Sequence, residues 1–286
     1  MIKTKLILEM DEVKLFKSFE AQKSTAEYSR HMLRKLTLKS MSLTCDIHNS
    51  NDWVRFPYYH HVFDDEKIDF ERQLKYLKNF GDFISLTEAC AMLKDSSKIN
   101  GRYFCVSFDD GFANCASNMA EVSVSLEVPV MIYIPTKFIG FKPTSENIQE
   151  LEVFNNKGNP PVRFLDWKEC KELLEHNVEF GSHTVNHVAL TGLSVNELEN
   201  ELENSKKVIE DNLGVECLHF ACPWGRPNID FDTLNIAGQM KSAGYQSFAT
   251  TQRGKMDKEF DHLFNIKRDH LLASWENYQL KYFFSR

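Results

Sequence analysis

From Trp53 onward, two patterns of apolar residues alternate along the chain. Short, continuous apolar runs, such as 103–108 and 128–134, have the length of strands. Because a strand that is covered on both faces is apolar at every position, these runs predict a buried parallel sheet. Between them, apolar residues recur three and four positions apart, as in 68–80, and this spacing predicts helices with one buried face.

The alternation of strand and helix occurs seven or eight times, which places the chain in the α/β class. The alternation implies parallel strands that are joined by right-handed helical crossovers. A (β/α) barrel fits the length of the chain, and an open doubly wound sheet is the alternative architecture. The chain contains neither of the glycine-rich phosphate-binding motifs, which argues against a nucleotide-binding sheet. Residues 1–52 hold two amphipathic stretches, and we interpret them as an N-terminal extension of a domain that spans 53–286.

Composition narrows the class of partner. The net charge of -7 and the lack of a basic stripe predict that the protein does not bind nucleic acid. No run approaches the roughly 20 apolar residues that cross a bilayer. Acidic residues interrupt the N-terminal stretch before a signal-peptide core, so we expect no membrane span and a cytoplasmic protein. The seven cysteines are odd in number and irregular in spacing, which argues against a disulfide framework.

Two adjacent carboxylates, Asp109 and Asp110, follow the apolar run 103–108 and precede Gly111. Parallel α/β folds place their active sites at such strand ends. Two like charges so close together raise one pKa unless a cation neutralises them. The pair therefore indicates a metal or acid–base site, with an ordinary strand-to-helix turn as the alternative.

A pair of histidines, His183 and His187, follows the strand-like segment 178–180. On a helical turn, a spacing of four points both rings in the same direction. Neutral imidazoles bind zinc and similar divalent ions, although this spacing often arises by chance. Together with Asp110 at another strand end, the pair would complete a common catalytic metal set of one carboxylate and two imidazoles.

The first strand of the domain ends in the sequence Tyr-Tyr-His-His, residues 58–61. Neighbouring side chains of a strand point to opposite faces, so at least one histidine should point into the barrel. A histidine in that position could act as a general acid, with a hydrogen-bonded core histidine as the alternative reading. Tyr59 is the candidate substrate contact at this strand end.

Two later strand ends carry further candidates. Pro223 and Trp224 can wall a sugar pocket, because an indole ring stacks on the apolar face of a sugar; a plain turn is the alternative. Arg268 can orient a catalytic carboxylate through two parallel hydrogen bonds, or it can form a surface ion pair of little energy. His270 lies at the same strand end as Arg268.

Together, these motifs resemble the polysaccharide deacetylase family, also called carbohydrate esterase family four or the NodB-homology group. Residues 107–111 match its Thr/Ser-Phe-Asp-Asp-Gly motif, and 183–190 match its His-Ser/Thr-x-x-His-x-x-Leu motif. Residues 220–225 match its Tyr-Pro-aromatic-Gly motif, with Cys222 where an aromatic often stands. The resemblance covers roughly Trp53 to the C-terminus, and the layout is similar to the poly-N-acetylglucosamine deacetylase branch.

The resemblance implies a distorted (β/α)7 barrel of the NodB-homology type. It implies one divalent metal ion, zinc first and cobalt, nickel or manganese as alternatives, whose ligands are Asp110, His183 and His187. By the same match, Asp109 is the general base for the attacking water, and the backbone N–H of Trp224 stabilises the oxyanion. His60 protonates the leaving amine, with His270 as second choice. Peptidoglycan-type members carry an arginine where this chain has Ala221, and Arg268 is the candidate replacement.

The sequence thus predicts hydrolysis of an N-acyl group, N-acetyl first, from an amino sugar in a saccharide or glycan precursor. Three alternatives stay open: a deformylase, a non-sugar amidase on the same metal site, and an inactive sugar-binding barrel. The sugar, the native metal, the oligomeric state and the role of residues 1–52 are not encoded in any motif that we find.

Overall fold

A computed structural model of the chain describes residues 12–19, 25–47, 51–154, 161–258 and 263–286. The strands of this described part, in chain order, are β1 (Trp53–Arg55), β2 (Pro57–Tyr59), β3 (Asp82–Phe83), β4 (Arg102–Phe104), β5 (Val106–Phe108), β6 (Val130–Ile134), β7 (Val178–Ser182), β8 (His219–Ala221), β9 (Ser247–Ala249) and β10 (Asp269–His270).

Helices connect these strands. In chain order they are α1 (Phe16–Phe19), α2 (Thr25–Ser42), α3 (Lys67–Leu77), α4 (Leu86–Lys94), α5 (Ala120–Ser125), α6 (Trp167–Leu174), α7 (Val195–Glu199), α8 (Ser205–Leu213), α9 (Ile236–Ser242) and α10 (Asn277–Phe284). π-Helical turns lead into α5 (Cys115–Met119) and α8 (Asn200–Asn204), and short 3₁₀ helices occupy Ser96–Lys98, Thr136–Phe138, Ile148–Phe154 and Leu263–Asn265.

The main sheet has seven strands in the order β10-β2-β5-β6-β7-β8-β9, and all of its pairs are parallel. The sheet is curled. Ile266 bridges to Ala249 at the β9 edge, and β10, which starts three residues later, pairs with β2 at the opposite edge. One short segment thus links both edges, so the predicted α/β class and distorted barrel are confirmed.

The continuous apolar run 103–108 does not form one strand. It breaks at Cys105, whose N–H donates to the carbonyl oxygen of Arg55, 2.9 Å away. Before the break, β4 pairs with β1 and β3 in a separate three-stranded sheet; after it, β5 pairs with β2 and β6. The single-strand prediction is wrong here because an apolar run records burial and not the identity of the neighbouring strand.

Strand β6 explains why such runs are apolar throughout. Val130, Ile132 and Ile134 join the core beneath the helices, whereas Met131 and Tyr133 pack inside the barrel. Side chains alternate between the two faces of a strand, and here both faces are buried. The carboxyl ends of the strands are left as the place where polar side chains can meet.

The described part of the N-terminal extension lies against the barrel. The backbone N–H of Phe16 donates to Asp65 Oδ1 at 2.7 Å, and α2 packs along α10. Residues 1–11, 20–24 and 48–50 of the predicted extension lie outside the described residues, and its boundary at 52/53 stays a prediction. Within the described ranges, no helix combines the length and the apolar character needed to span a bilayer.

Candidate metal and catalytic site

Three side chains from two strand ends converge on one point. Asp110 follows β5 and His183 follows β7, two strands that flank β6 in the sheet. Asp110 Oδ1 lies 3.1 Å from His187 Nε2 and 3.4 Å from His183 Nε2. All three residues are buried, and their ligand atoms lie within 4.8 Å of one another.

Backbone carbonyls fix the tautomers of both histidines. His183 Nδ1 lies 2.8 Å from the carbonyl oxygen of Ala221, and His187 Nδ1 lies 3.0 Å from that of Val153. A carbonyl oxygen only accepts hydrogen bonds, so each Nδ1 carries the hydrogen and each Nε2 presents its lone pair to Asp110. Carbonyl acceptors of this kind are the usual supports of metal-binding histidines.

The donor set fits a divalent cation. Asp110 Oδ1 is buried and has no hydrogen-bond partner, and two imidazole lone pairs face it. An unpartnered buried carboxylate oxygen is costly, and a cation between the three atoms would remove that cost. One carboxylate and two neutral imidazoles are ligands that zinc and neighbouring transition metals accept.

Backbone strain concentrates at this site. Asp110, Thr184, His187 and Trp224 all have φ between 55° and 71°, in the left-handed region that side chains other than glycine seldom adopt. Each such residue costs of order 1–3 kcal/mol. The predicted helical turn at His183–His187 is therefore wrong: the two rings converge because Thr184 and His187 reverse the direction of a loop.

A buried glutamate holds that loop in place. Glu201 Oε2 accepts hydrogen bonds from the backbone N–H groups of Val185 (2.8 Å) and Asn186 (3.0 Å). Its Oε1 accepts a third from Asn186 Nδ2 at 2.6 Å. The sequence analysis missed Glu201, because this residue belongs to no motif. Nothing in the sequence shows that the helical segment between β7 and β8 packs against the loop 183–187, which we call the histidine loop.

Asp109 points to a different partner from Asp110. Its two oxygens accept hydrogen bonds from Arg268 Nη1 (2.7 Å) and Nη2 (2.8 Å), and Arg268 Nε donates to the carbonyl oxygen of Thr250 at 3.0 Å. Burial opposes ionisation of Asp109, but the Arg268 guanidinium outweighs it and holds the pKa of the carboxyl below its usual range. Asp109 is thus an oriented carboxylate with lone pairs left to accept a proton.

His60 and His270 lie together on the other side of Asp110. Their ring centroids are 5.0 Å apart, and His60 Nε2 lies 4.0 Å from Asp110 Oδ2. Burial, reinforced by the charges of His60 and Arg253, lowers the pKa of His270 to about 3. His270 is therefore neutral at physiological pH and a poor proton donor, and the one-third exposed His60 is the better placed acid.

A cavity of about 380 Å³ opens onto these groups. Trp224 lines it, and its ring meets that of His187 with centroids 5.5 Å apart. Pro223 is buried in the turn and does not line the cavity; its carbonyl oxygen accepts a hydrogen bond from the N–H of Gly225. The expected substrate contact of Pro223 is therefore corrected to a structural place in the turn.

Tyr59 also lies outside the cavity. It is fully buried, its hydroxyl donates to Gln73 Oε1 at 2.9 Å, and its ring stacks on that of Phe108. Tyr58 lines the cavity instead. The expected substrate contact at Tyr59 is wrong, because adjacent strand residues point to opposite faces and the pair of tyrosines gave no sign of which one faced inward.

Six phenylalanines line the cavity beside these polar groups. They come from the N-terminal segment, the ends of β2 and β5, and the long loop before α6, and we call them the phenylalanine wall: Phe16, Phe19, Phe63, Phe112, Phe154 and Phe164. The sequence analysis missed this wall. The chain has 22 phenylalanines, so no single one of them differs by type from an ordinary core residue.

The protein is thus a curled parallel barrel. At the carboxyl ends of its strands it carries a buried Asp-His-His cluster and an aspartate that an arginine orients. Comparison with known proteins makes the assignment specific. The family model described as polysaccharide deacetylase matches residues 97–247, which is more than half of the chain. The chain belongs to the polysaccharide deacetylase family.

Individual relatives agree with this assignment. YxkH of Bacillus subtilis (strain 168) is 26% identical over 195 residues, which cover 68% of this chain and 61% of YxkH. The structure of IcaB from Ammonifex degensii has a TM-score of 0.66 at 18% identity, covering 83% of this chain and 99% of that chain. Streptococcus pyogenes deacetylase PplD in complex with acetate has a TM-score of 0.62 at 19% identity, covering 82% and 98%. At these identities the two structures show a common fold.

Proposed function

We propose that this protein hydrolyses an N-acyl group from an amino sugar and that one divalent cation, held by Asp110, His183 and His187, is required. The observation that carries the proposal is the convergence of these three buried donors beside a second, oriented carboxylate. Membership of the polysaccharide deacetylase family makes N-acetyl the first acyl group to test.

The bonds balance as a simple hydrolysis. Water adds to the amide carbon, the C–N bond breaks, and the products are a carboxylate and an amine. A divalent cation at the three donors would supply Lewis acidity toward the carbonyl oxygen and the attacking water. Zinc fits the donor set, and cobalt, nickel or manganese are the alternatives to be compared.

Asp109 is the proposed general base. Arg268 holds both of its oxygens and keeps it ionised, so it can accept the proton of the water that attacks. His60 is the proposed acid for the leaving nitrogen. The backbone N–H of Trp224, in its left-handed turn, is the proposed oxyanion donor.

The charges that line the cavity bear on which part of the substrate it can hold. No lysine or arginine is among the described residues that line it, whereas Glu66, Asp109 and Asp110 are. A phosphate needs cationic or N–H donors, so we propose that any phosphate of a glycan precursor stays outside this cavity. All seven cysteines are free, which supports the proposal of a reducing compartment such as the cytoplasm.

The test is amine release by metal-free protein before and after addition of zinc, cobalt, nickel or manganese. N-acetylated and N-formylated amino sugars, free and in oligosaccharides, form the substrate panel. We expect turnover only with metal, and an Asp109→Asn variant should bind metal without turning over substrate. Sugar binding with no turnover under any condition would favour the inactive-barrel alternative.

A further inference from the structure

The phenylalanine wall consists of two groups of rings that His61 joins, since the His61 ring stacks on Phe63 at 4.9 Å and on Phe112 at 4.2 Å and also lines the cavity. Phe112 lies against Phe164 with ring centroids 4.9 Å apart, and Phe154 lies 5.3 Å from Phe164. On the N-terminal side, Phe19 meets Phe63 at 5.1 Å. Rings from four parts of the chain therefore form one apolar side of the cavity.

This surface does not suit a sugar ring. A sugar presents hydroxyl groups around its edge, and each needs a hydrogen-bond partner when it leaves water. The six wall side chains contain carbon and hydrogen only, so they offer none, and the Nδ1 atom of His61 between them already lies 3.3 Å from Asn114 Nδ2. Hydrocarbon is the chemistry that such a surface stabilises, by about 25 cal/mol for each Å² that is removed from water.

The wall and the proposed acid have different neighbours around the metal-binding set. Phe154 stacks on His187, with ring centroids 4.4 Å apart at 27°. His60 instead contacts His270 at 5.0 Å and Tyr58 at 5.6 Å. The leaving nitrogen and the sugar that it carries must face the acid, so the acyl substituent of the amide is directed to the remaining side.

We propose that the phenylalanine wall binds the acyl chain of the substrate and that this chain is a hydrocarbon longer than acetyl. The inference rests on the proposed function and refines its acyl group. A single methyl group would cover little of the partly exposed rings of Phe16, Phe19 and Phe154. Each further methylene that is buried against the wall gains about 0.8 kcal/mol, which is about a fourfold gain per methylene.

The N-terminal segment makes the proposal testable without disturbing the barrel. Phe16 and Phe19 are only partly buried, and they reach the cavity from α1. Leu15, beside them, is 44% exposed and does not line the cavity. Leu15→Ala is therefore a matched control for Phe16→Ala and Phe19→Ala.

The experiment measures kcat/KM of the zinc-loaded enzyme for glucosamine amides of acetic, butyric, hexanoic and octanoic acids. We expect hexanoyl to exceed acetyl by about tenfold or more. Phe16→Ala and Phe19→Ala should each lower the hexanoyl-to-acetyl ratio by about fivefold or more, and Leu15→Ala should not. In parallel, calorimetry compares the binding of hexanoate with that of acetate. Both ligands carry the same carboxylate, so tighter binding of hexanoate would measure the contact of its hydrocarbon chain with the wall.

Each outcome of this experiment supports or overturns the inference about the acyl chain. Acetyl as the best substrate, with no preference for hexanoate, overturns the inference and leaves the proposed function intact. Preference for an octyl glycoside of N-acetylglucosamine over longer amides overturns it as well, because the wall then binds the other end of the substrate. If no amide is hydrolysed, the proposed function fails, and the calorimetry still shows whether the wall binds hydrocarbon.

Discussion

The two sides of the cavity are built by different means. The polar side, with its aspartates, histidines and Arg268, is formed by residues at the ends of parallel strands, and hydrogen bonds of 2.7–3.0 Å fix their orientations. The phenylalanine wall comes from the N-terminal segment, from the loops that follow β2 and β5, and from the loop before α6, and ring contacts without direction hold it together. The difference supports the proposal that the strand ends position the catalytic groups, while the loops and the N-terminal segment select the substrate.

The largest effect should follow from loss of a metal ligand. His183→Ala removes one of the three proposed donors, and we expect kcat/KM to fall by about 10³-fold or more, since a cation at this site would contribute several kcal/mol of transition-state stabilisation. The matched control is His176→Ala, an exposed histidine at the start of the same strand region. Equal activity of the two variants would contradict the ligand assignment.

Arg268→Lys tests orientation without loss of charge. A lysine cannot hold both oxygens of Asp109, so we expect kcat to fall by about 100-fold while zinc affinity stays the same. Arg226→Lys is the control, because Arg226 forms a similar two-bond pair with Asp230 at an exposed position outside the cavity. A comparable loss in both variants would mean that Arg268 supports the fold alone.

Glu201→Gln tests the support of the histidine loop. The neutral amide weakens hydrogen bonds from two backbone N–H groups, so we expect zinc affinity to fall by about 10-fold, the lower end for supporting residues. Glu203 lies two residues away on the same π-helical turn and is exposed, so Glu203→Gln should bind zinc like the wild type. Calorimetric titration with zinc measures both.

Glu66 gives a smaller effect that depends on pH. Burial raises the pKa of this carboxyl from 4.5 to about 7, although hydrogen bonds from Phe63 and Ser274 oppose the shift. Because the pKa is raised in the folded state, Glu66 favours folding fully while it is protonated, below pH 4.5, and about 3 kcal/mol of that stability is lost as pH rises through 7.

Glu66→Gln should therefore gain stability relative to the wild type between pH 4.5 and 7.5. Urea denaturation at several pH values measures the difference. The control Glu71→Gln changes an exposed ion pair with Lys75 on the same helix and should shift stability by less than about 1 kcal/mol. A difference between Glu66→Gln and the wild type that is constant over this pH range would show that Glu66 does not titrate as described.

The polar side could be predicted because local sequence determines it. The Asp-Asp-Gly turn follows an apolar run, and parallel strand ends meet at one edge, so the meeting of Asp110 with His183 followed from topology. Topology did not predict which of Tyr58 and Tyr59 faces the cavity, because a shift of one residue along the strand exchanges the two faces. The left-handed φ of Thr184 and His187 was equally hidden, since spacing does not encode dihedral angles. The break at Cys105 depends on which strands lie beside it.

The phenylalanine wall could not be predicted for a different reason. Its rings meet through contacts between residues more than 40 positions apart, such as Phe19 with Phe63 and Phe112 with Phe154, and apolar side chains carry no partner information in their type. Hydrophobic patterning predicts that a residue is buried, and it does not predict which cavity the residue borders.

The most direct test of the account is anomalous diffraction at the zinc edge from crystals grown with zinc. We predict one peak per chain, within about 2.0–2.2 Å of a carboxylate oxygen of Asp110 and of the Nε2 atoms of His183 and His187. A zinc ion bound by other residues, with these three left unliganded, would contradict the central claim that strand ends far apart in sequence share a single ion.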